Sequence, residues 1–168
     1  MDIVEPFCGN TSGEVTINLT DFDSQVDGTP GSTVTWYSHP AGNNPIANPT
    51  MFTTGSTVLY AEVSDGNCTS IVLATFTITV NAAPQAFPAD PLTACIIFPF
   101  DASVNLTSVE GEINGETGLP VNWYVDQAAT IPITNPGDFN FSIPTSVWAT
   151  VTDPVTGCET PTTVEVML

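Results

Sequence analysis

The chain has 168 residues, 42% of them hydrophobic, with nine Phe, three Trp and three Tyr, enough apolar surface to build a core and to exclude a disordered segment. It carries 18 Asp and Glu, a single histidine, and no Lys or Arg, for a formal net charge of −18. That balance excludes nucleic acid, whose binding runs on Lys and Arg. It disfavours anionic membrane surfaces, and it rules out Lys- or Arg-carboxylate salt bridges, trypsin cleavage and lysine isopeptide crosslinks.

Taken from the N-terminus, Cys8 stands at the entrance to the first alternating run, Val15, Ile17 and Leu19 with Thr16, Asn18 and Thr20 between them. Period-two alternation predicts a strand with one buried face. An acidic stretch follows, Asp21, Asp23 and Asp27 with Gly28 after it. Carboxylates at such spacing beside a glycine turn are candidate calcium ligands, although the EF-hand spacing is absent and a solvated acidic loop is the plainer reading. Val34 and Trp36 alternate with Thr35 and Tyr37, which predicts a strand with an inward Trp. His39 precedes Pro40 in a turn-like stretch. Leu59, Ala61 and Val63 predict the next strand. Cys68 lies in the following hairpin, and Phe76, Ile78 and Val80 predict the strand that closes the pattern.

A shift of 87 positions superposes the first half on the second. Cys8 meets Cys95, Leu19 meets Leu106, Val34 meets Val121, Trp36-Tyr37 meets Trp123-Tyr124, and Asn48-Pro49 meets Asn135-Pro136. The register then slips by one, so that Tyr60-Ala61 meets Trp148-Ala149, and a longer loop brings Cys68 opposite Cys158. The acidic stretch is repeated as Glu110, Glu112 and Glu116, and His39 is replaced by Asp126. Between the copies, Pro84, Pro88 and Pro91 favour an extended, semi-rigid connection. The pattern predicts an all-β chain of two tandem immunoglobulin-like β-sandwich domains, residues 1–83 and 84–168. Fifteen Pro and 12 Gly punctuate the strands, and no amphipathic helix competes.

The four cysteines fit neither a zinc site nor a C-x-x-C redox pair and are expected in disulfides. Because each pair brackets one repeat, the expected bridges are Cys8 to Cys68 and Cys95 to Cys158. Closing a loop of roughly 60 residues stabilises by about 4 kcal/mol in the chain-entropy model.

No run approaches the length of a membrane span, and no signal-peptide pattern is present. Met1 before Asp2 reads as a start residue placed on an excised fragment. Catalysis is not expected, since a Ser or Cys triad needs a histidine base and the one histidine sits before a proline; no hydrolase or P-loop motif occurs. The outward aromatics Tyr37 and Tyr60, with Tyr124 and Trp148 in the second copy, are candidate platforms for stacking on sugar faces, or cross-strand pairs that stiffen the sheet.

The stretch Val34-Thr35-Trp36-Tyr37-Ser38, with Pro45-Ile46-Ala47-Asn48-Pro49-Thr50 and Leu59-Tyr60-Ala61-Glu62-Val63-Ser64-Asp65-Gly66-Asn67-Cys68, resembles the immunoglobulin-like repeats of large Bacteroidota surface proteins. These include gliding-motility and filamentous adhesins exported by the type IX secretion system. The resemblance implies a secreted, cell-surface spacer or adhesive stalk with no cofactor, partnered by neighbouring repeats of the same fibre and by surface glycans. The alternative is a carbohydrate-binding accessory module of a secreted enzyme.

Overall fold

A computed structural model describes residues 2–27, 31–70, 73–95, 102–143 and 145–168. The chain divides into two units, Met1–Ala82 and Ala83–Leu168.

In the first unit the strands are β1 (Asp2–Cys8), β2 (Val15–Ile17), β3 (Thr33–Tyr37), β4 (Phe52–Thr54), β5 (Thr57–Ser64) and β6 (Ala74–Asn81). They form a four-stranded sheet in the order β1-β6-β5-β3 and a two-stranded sheet of β2 and β4. All pairings are antiparallel except β1 with β6, which run parallel from Asp2 opposite Thr75 to Cys8 opposite Asn81. Leu19, Trp36, Leu59, Ala61, Phe76 and Ile78 form the buried core, with Ile17 and Phe52 of the small sheet packed against it. The alternation read from sequence gives the inward face of β2, β3, β5 and β6 but predicts neither β1 nor β4. Phe76 is the aromatic hub: Trp36 meets it edge-on at 5.4 Å and Phe22 lies tilted against it at 4.9 Å between ring centroids.

The second unit repeats the plan with β7 (Ala102–Val104), β8 (Val121–Tyr124), β9 (Phe139–Phe141), β10 (Ser146–Val151) and β11 (Val164–Met167). Its sheets are β11-β10-β8 and β7-β9. Its core gathers Val104, Leu106, Val109, Ile113, Trp123, Val147, Ala149, Val151 and Val166. Leu92, the counterpart of Glu5, donates its N–H to the Met167 carbonyl at 3.0 Å, on the same side of the last strand that β1 occupies in the first unit. Two sheets over one core in each unit make the chain an all-β, immunoglobulin-like pair of sandwiches.

The structure departs from the sequence reading where β2 and β7 end. Leu19 and Leu106 do not continue their strands. β2 ends at Ile17, and the chain turns through a 3-10 segment, Leu19–Phe22, into a four-residue helix α1 (Asp23–Val26); the second unit does the same through Leu106–Val109 and α2 (Glu110–Asn114). The side chains of Asn18 and Asn105 stop the strands by accepting hydrogen bonds from the amides of Thr20 and Thr107, at 3.2 and 3.0 Å. Asn at this place offers the backbone a local partner in exchange for the ladder. Both leucines stay fully buried, which is why they mimic the strand period. Trp36 stands on the outer strand β3. The exposed edge beyond it is met by the Ile46 amide, which donates to the Trp36 carbonyl at 2.8 Å, as Ile133 does to Trp123 at 2.7 Å.

Candidate functional site

The acidic stretches lie on the helical turns just described. Asp23 Oδ1 accepts a hydrogen bond from the Trp36 indole Nε1–H at 2.8 Å, and Glu110 Oε1 accepts one from Trp123 at 3.1 Å. A buried indole needs an acceptor, and in each repeat a carboxylate of the turn supplies it. Asp21 accepts from the Asn18 amide at 2.8 Å, Asp27 from the Ser32 hydroxyl, and Glu112 from the Asp90 backbone N–H at 2.9 Å. Glu116 sits at positive φ beside Gly111. The six candidate calcium ligands are thus spread along the turns, and among the described residues no three acidic, cysteine or histidine side chains gather into a cluster that fits a cation.

The outer aromatics fall where expected in register. Tyr37 is directly opposite Tyr60, and Tyr124 is opposite Trp148. All four are half-buried. The ring contacts found among the described residues join Phe7, Phe22, Phe76 and Trp36, and none joins an outer pair. The Tyr124 hydroxyl instead donates to Glu159 at 3.4 Å, an acid that also receives the Asn122 amide at 3.2 Å and the Thr150 hydroxyl. His39 closes a turn through its Nδ1, which accepts the Ala41 amide at 3.1 Å; Asp126 does this work in the second repeat, holding Thr130 and Ile131.

The cysteines overturn an expectation. Cys8 and Cys158 are disulfide-bonded, whereas Cys68 and Cys95 are free thiols at exposed positions. Neither within-repeat bridge, Cys8 to Cys68 or Cys95 to Cys158, is formed. Each repeat contributes one oxidised and one free cysteine. Bracketing of a repeat by two cysteines says nothing about whether their side chains meet, and disulfide geometry demands Cα atoms within about 7 Å.

The two hairpin cysteines occupy matching places. In the first unit the Asp65 N–H donates to the Cys68 carbonyl at 3.2 Å, and the Asp65 carboxylate accepts the amides of Cys68 and Asn67 at 2.7 and 2.9 Å. In the second the Asp153 N–H donates to the Cys158 carbonyl at 2.8 Å, and its carboxylate accepts the Val155 amide at 2.8 Å and the Thr156 hydroxyl at 3.0 Å. Hydrogen bonds, foremost from the Cys68 amide and then from Asn67, hold the Asp65 carboxyl below the usual range. The Val155 amide, then the Thr156 hydroxyl, lower that of Asp153. Beyond each cysteine the ladder resumes identically, with Ser70 donating to Val63 at 2.8 Å and Thr160 to Val151 at 2.9 Å. The two entrance cysteines also correspond. Cys8 ends β1, and Cys95 follows Leu92 by the same three residues that separate Cys8 from Glu5.

Residues 5–84 match the family model described as the Flavobacterium inter-domain disulphide bond domain, which spans nearly all of the first unit. No curated protein matches the chain. Among solved structures the chain is similar to the FN1–FN3 domains of chicken CNTN1 at 15% identity, over 96% of this chain and 62% of that one, with a TM-score of 0.28. So loose a likeness carries no argument, and the fold rests on the strand register and cores above. Among the described residues no helix is long and apolar enough to cross a membrane. The first repeat is therefore similar to a family defined by a disulfide between domains.

Proposed function

We infer that this chain is a structural spacer of an extracellular, cell-surface fibre or adhesin built of consecutive immunoglobulin-like repeats. One observation carries the reading: one sandwich plan is repeated in tandem, and each copy has its own buried core. The description of the family that the first unit resembles supports it. Disulfides persist in oxidising exteriors, which accords with a secreted location. A surface with no cationic side chain also repels its neighbours and keeps such a fibre extended at low salt.

Peptide mapping without reductant tests which cysteines are oxidised. The chain offers trypsin no cleavage site, so an acid-specific or aromatic-specific protease is used. Cys8 and Cys158 are expected in cross-linked peptides and Cys68 and Cys95 in alkylated ones, and a Cys8–Cys68 or Cys95–Cys158 peptide would overturn the assignment. For the spacer role, the parent gene should encode further repeats with the same two-cysteine spacing; a single flanking hydrolase domain would instead support the accessory role.

A further inference from the structure

We propose that the groove beside Glu62, on the outer face of the larger sheet of the first unit, is a docking site for an arginine side chain of a basic protein partner. The groove has a volume of about 440 Å³ and is walled by Pro40, Ala41, Tyr60, Glu62, Ser70 and Leu73. The second unit has a groove of about 390 Å³ at the equivalent place, where Ala128 stands for Ala41, Thr150 for Glu62 and Thr160 for Ser70. Each repeat keeps one carboxylate at this face and exchanges its position: Glu62 and Thr69 in the first correspond to Thr150 and Glu159 in the second.

The two repeats treat that carboxylate differently. Glu159 receives the Thr150 hydroxyl, the Asn122 amide at 3.2 Å and the Tyr124 hydroxyl at 3.4 Å. Glu62 is half-buried, and among the described residues no group donates to its carboxylate. The second repeat thus meets the need of a carboxylate here from its own side chains, and the first leaves that need open. No Lys or Arg exists in the chain to answer it, so a cation that pairs with Glu62 comes from another molecule. A net charge of −18 draws a basic partner toward this surface.

The walls of the groove select among cations. Tyr60 and Glu62 are two residues apart on one face of β5, so the ring flanks the carboxylate. A guanidinium is planar, stacks on an aromatic face and gives a carboxylate two parallel N–H bonds. Pro40, Ala41 and Leu73 offer apolar surface to the methylene stem behind such a head group.

The test titrates the isotope-labelled full chain in physiological salt with acetyl-Gly-Arg-Gly-amide and, separately, with its citrulline analogue, which keeps the shape and lacks the charge. Nuclear magnetic resonance should show saturable amide shifts centred on Ala41, Glu62 and Leu73 with the arginine peptide and none with the citrulline peptide. Glu62→Gln should weaken binding at least about tenfold, as expected for hydrogen bonds to a charged group. Tyr60→Ala should weaken it as well. Glu14→Gln removes an equal charge from an exposed position of the same unit and should change binding by less than about twofold. Amide shifts outside the groove that match the parent chain establish that each variant is folded. Equal weakening by Glu62→Gln and Glu14→Gln would reduce the effect to the general field of the chain and overturn the site. So would shifts spread over the acidic turns of both units, equal binding of the citrulline peptide, or no saturable shift at all.

Discussion

Asp23→Ala isolates the tie between a helical turn and the core tryptophan. Trp36 is 2% exposed, and its indole N–H has the Asp23 carboxylate as acceptor at 2.8 Å. Truncation leaves a buried donor without a partner, which costs about 1–3 kcal/mol, and removes a bond to a charged group whose net value is of the same order, the two being overlapping descriptions of one loss. Asp23 also stands in the first turn of α1, where an acid contributes about 0.3–1 kcal/mol. Relief of like-charge repulsion offsets little, because charges farther apart than about 8 Å are screened at physiological salt. The expected loss is about 2–3 kcal/mol, confined to the first unit. Hydrogen exchange read peptide by peptide separates the units: amides of β5 and β6 should exchange at least ~30-fold faster, the factor for 2 kcal/mol, with β10 and β11 unchanged. Asp23→Asn keeps a neutral acceptor and should recover more than half of the loss. A change under about 0.5 kcal/mol in Asp23→Ala, or an Asn variant as weak as the Ala variant, would refute the claim that this hydrogen bond secures the turn.

The hairpin carboxyls of Asp65 and Asp153 are held below the usual range by hydrogen bonds from their own loops. A depressed carboxyl stabilises the fold above the unfolded value near 3.9, and that contribution is lost as pH falls through the lower folded value. Exchange of the Cys68 and Val155 amides, which donate to Asp65 and Asp153, should, corrected for intrinsic rate, be flat from pH 7 to 5 and accelerate only below about pH 4; acceleration already between 7 and 5 would contradict the assignment. Trp148→Ala, which removes a half-buried ring opposite Tyr124, should lower the stability of the second unit by about 0.2–1 kcal/mol and change no glycan binding. A glycan array on which the wild-type chain binds specifically and the folded variant does not would make the outer aromatics a sugar platform.

Much of the architecture was legible because burial on one face imposes a period of two, and β3, β5, β6, β8, β10 and β11 all show it with Trp36 and Trp123 inward. The same logic misled at Leu19 and Leu106. A buried residue two places beyond a strand fits the alternation whether the chain continues straight or turns, and the turn signal was carried by Asn18 and Asn105, whose capping role competes with strand pairing. The six acids drew attention as ligands, yet Asp23 and Glu110 are explained by an indole 13 residues later, a partnership visible only once the turn folds over β3 or β8. The cysteine pairing was beyond reach for a different reason. Aligning the repeats makes Cys8 equivalent to Cys95 and Cys68 equivalent to Cys158, so every pairing of an entrance with a hairpin looks alike, within a repeat or across two.

The parallel pairing of β1 with β6 also decides how the first unit bears tension. Asp2 lies opposite Thr75 and Cys8 opposite Asn81, so a pull on Asp2 and Asn81 enters at opposite ends of one seam. Its hydrogen bonds are then sheared together and not unzipped one at a time. Rupture of a sandwich under force is governed by its unfolding rate, and in this unit that rate is set by the seam standing between the load and the core of Leu19, Trp36 and Phe76.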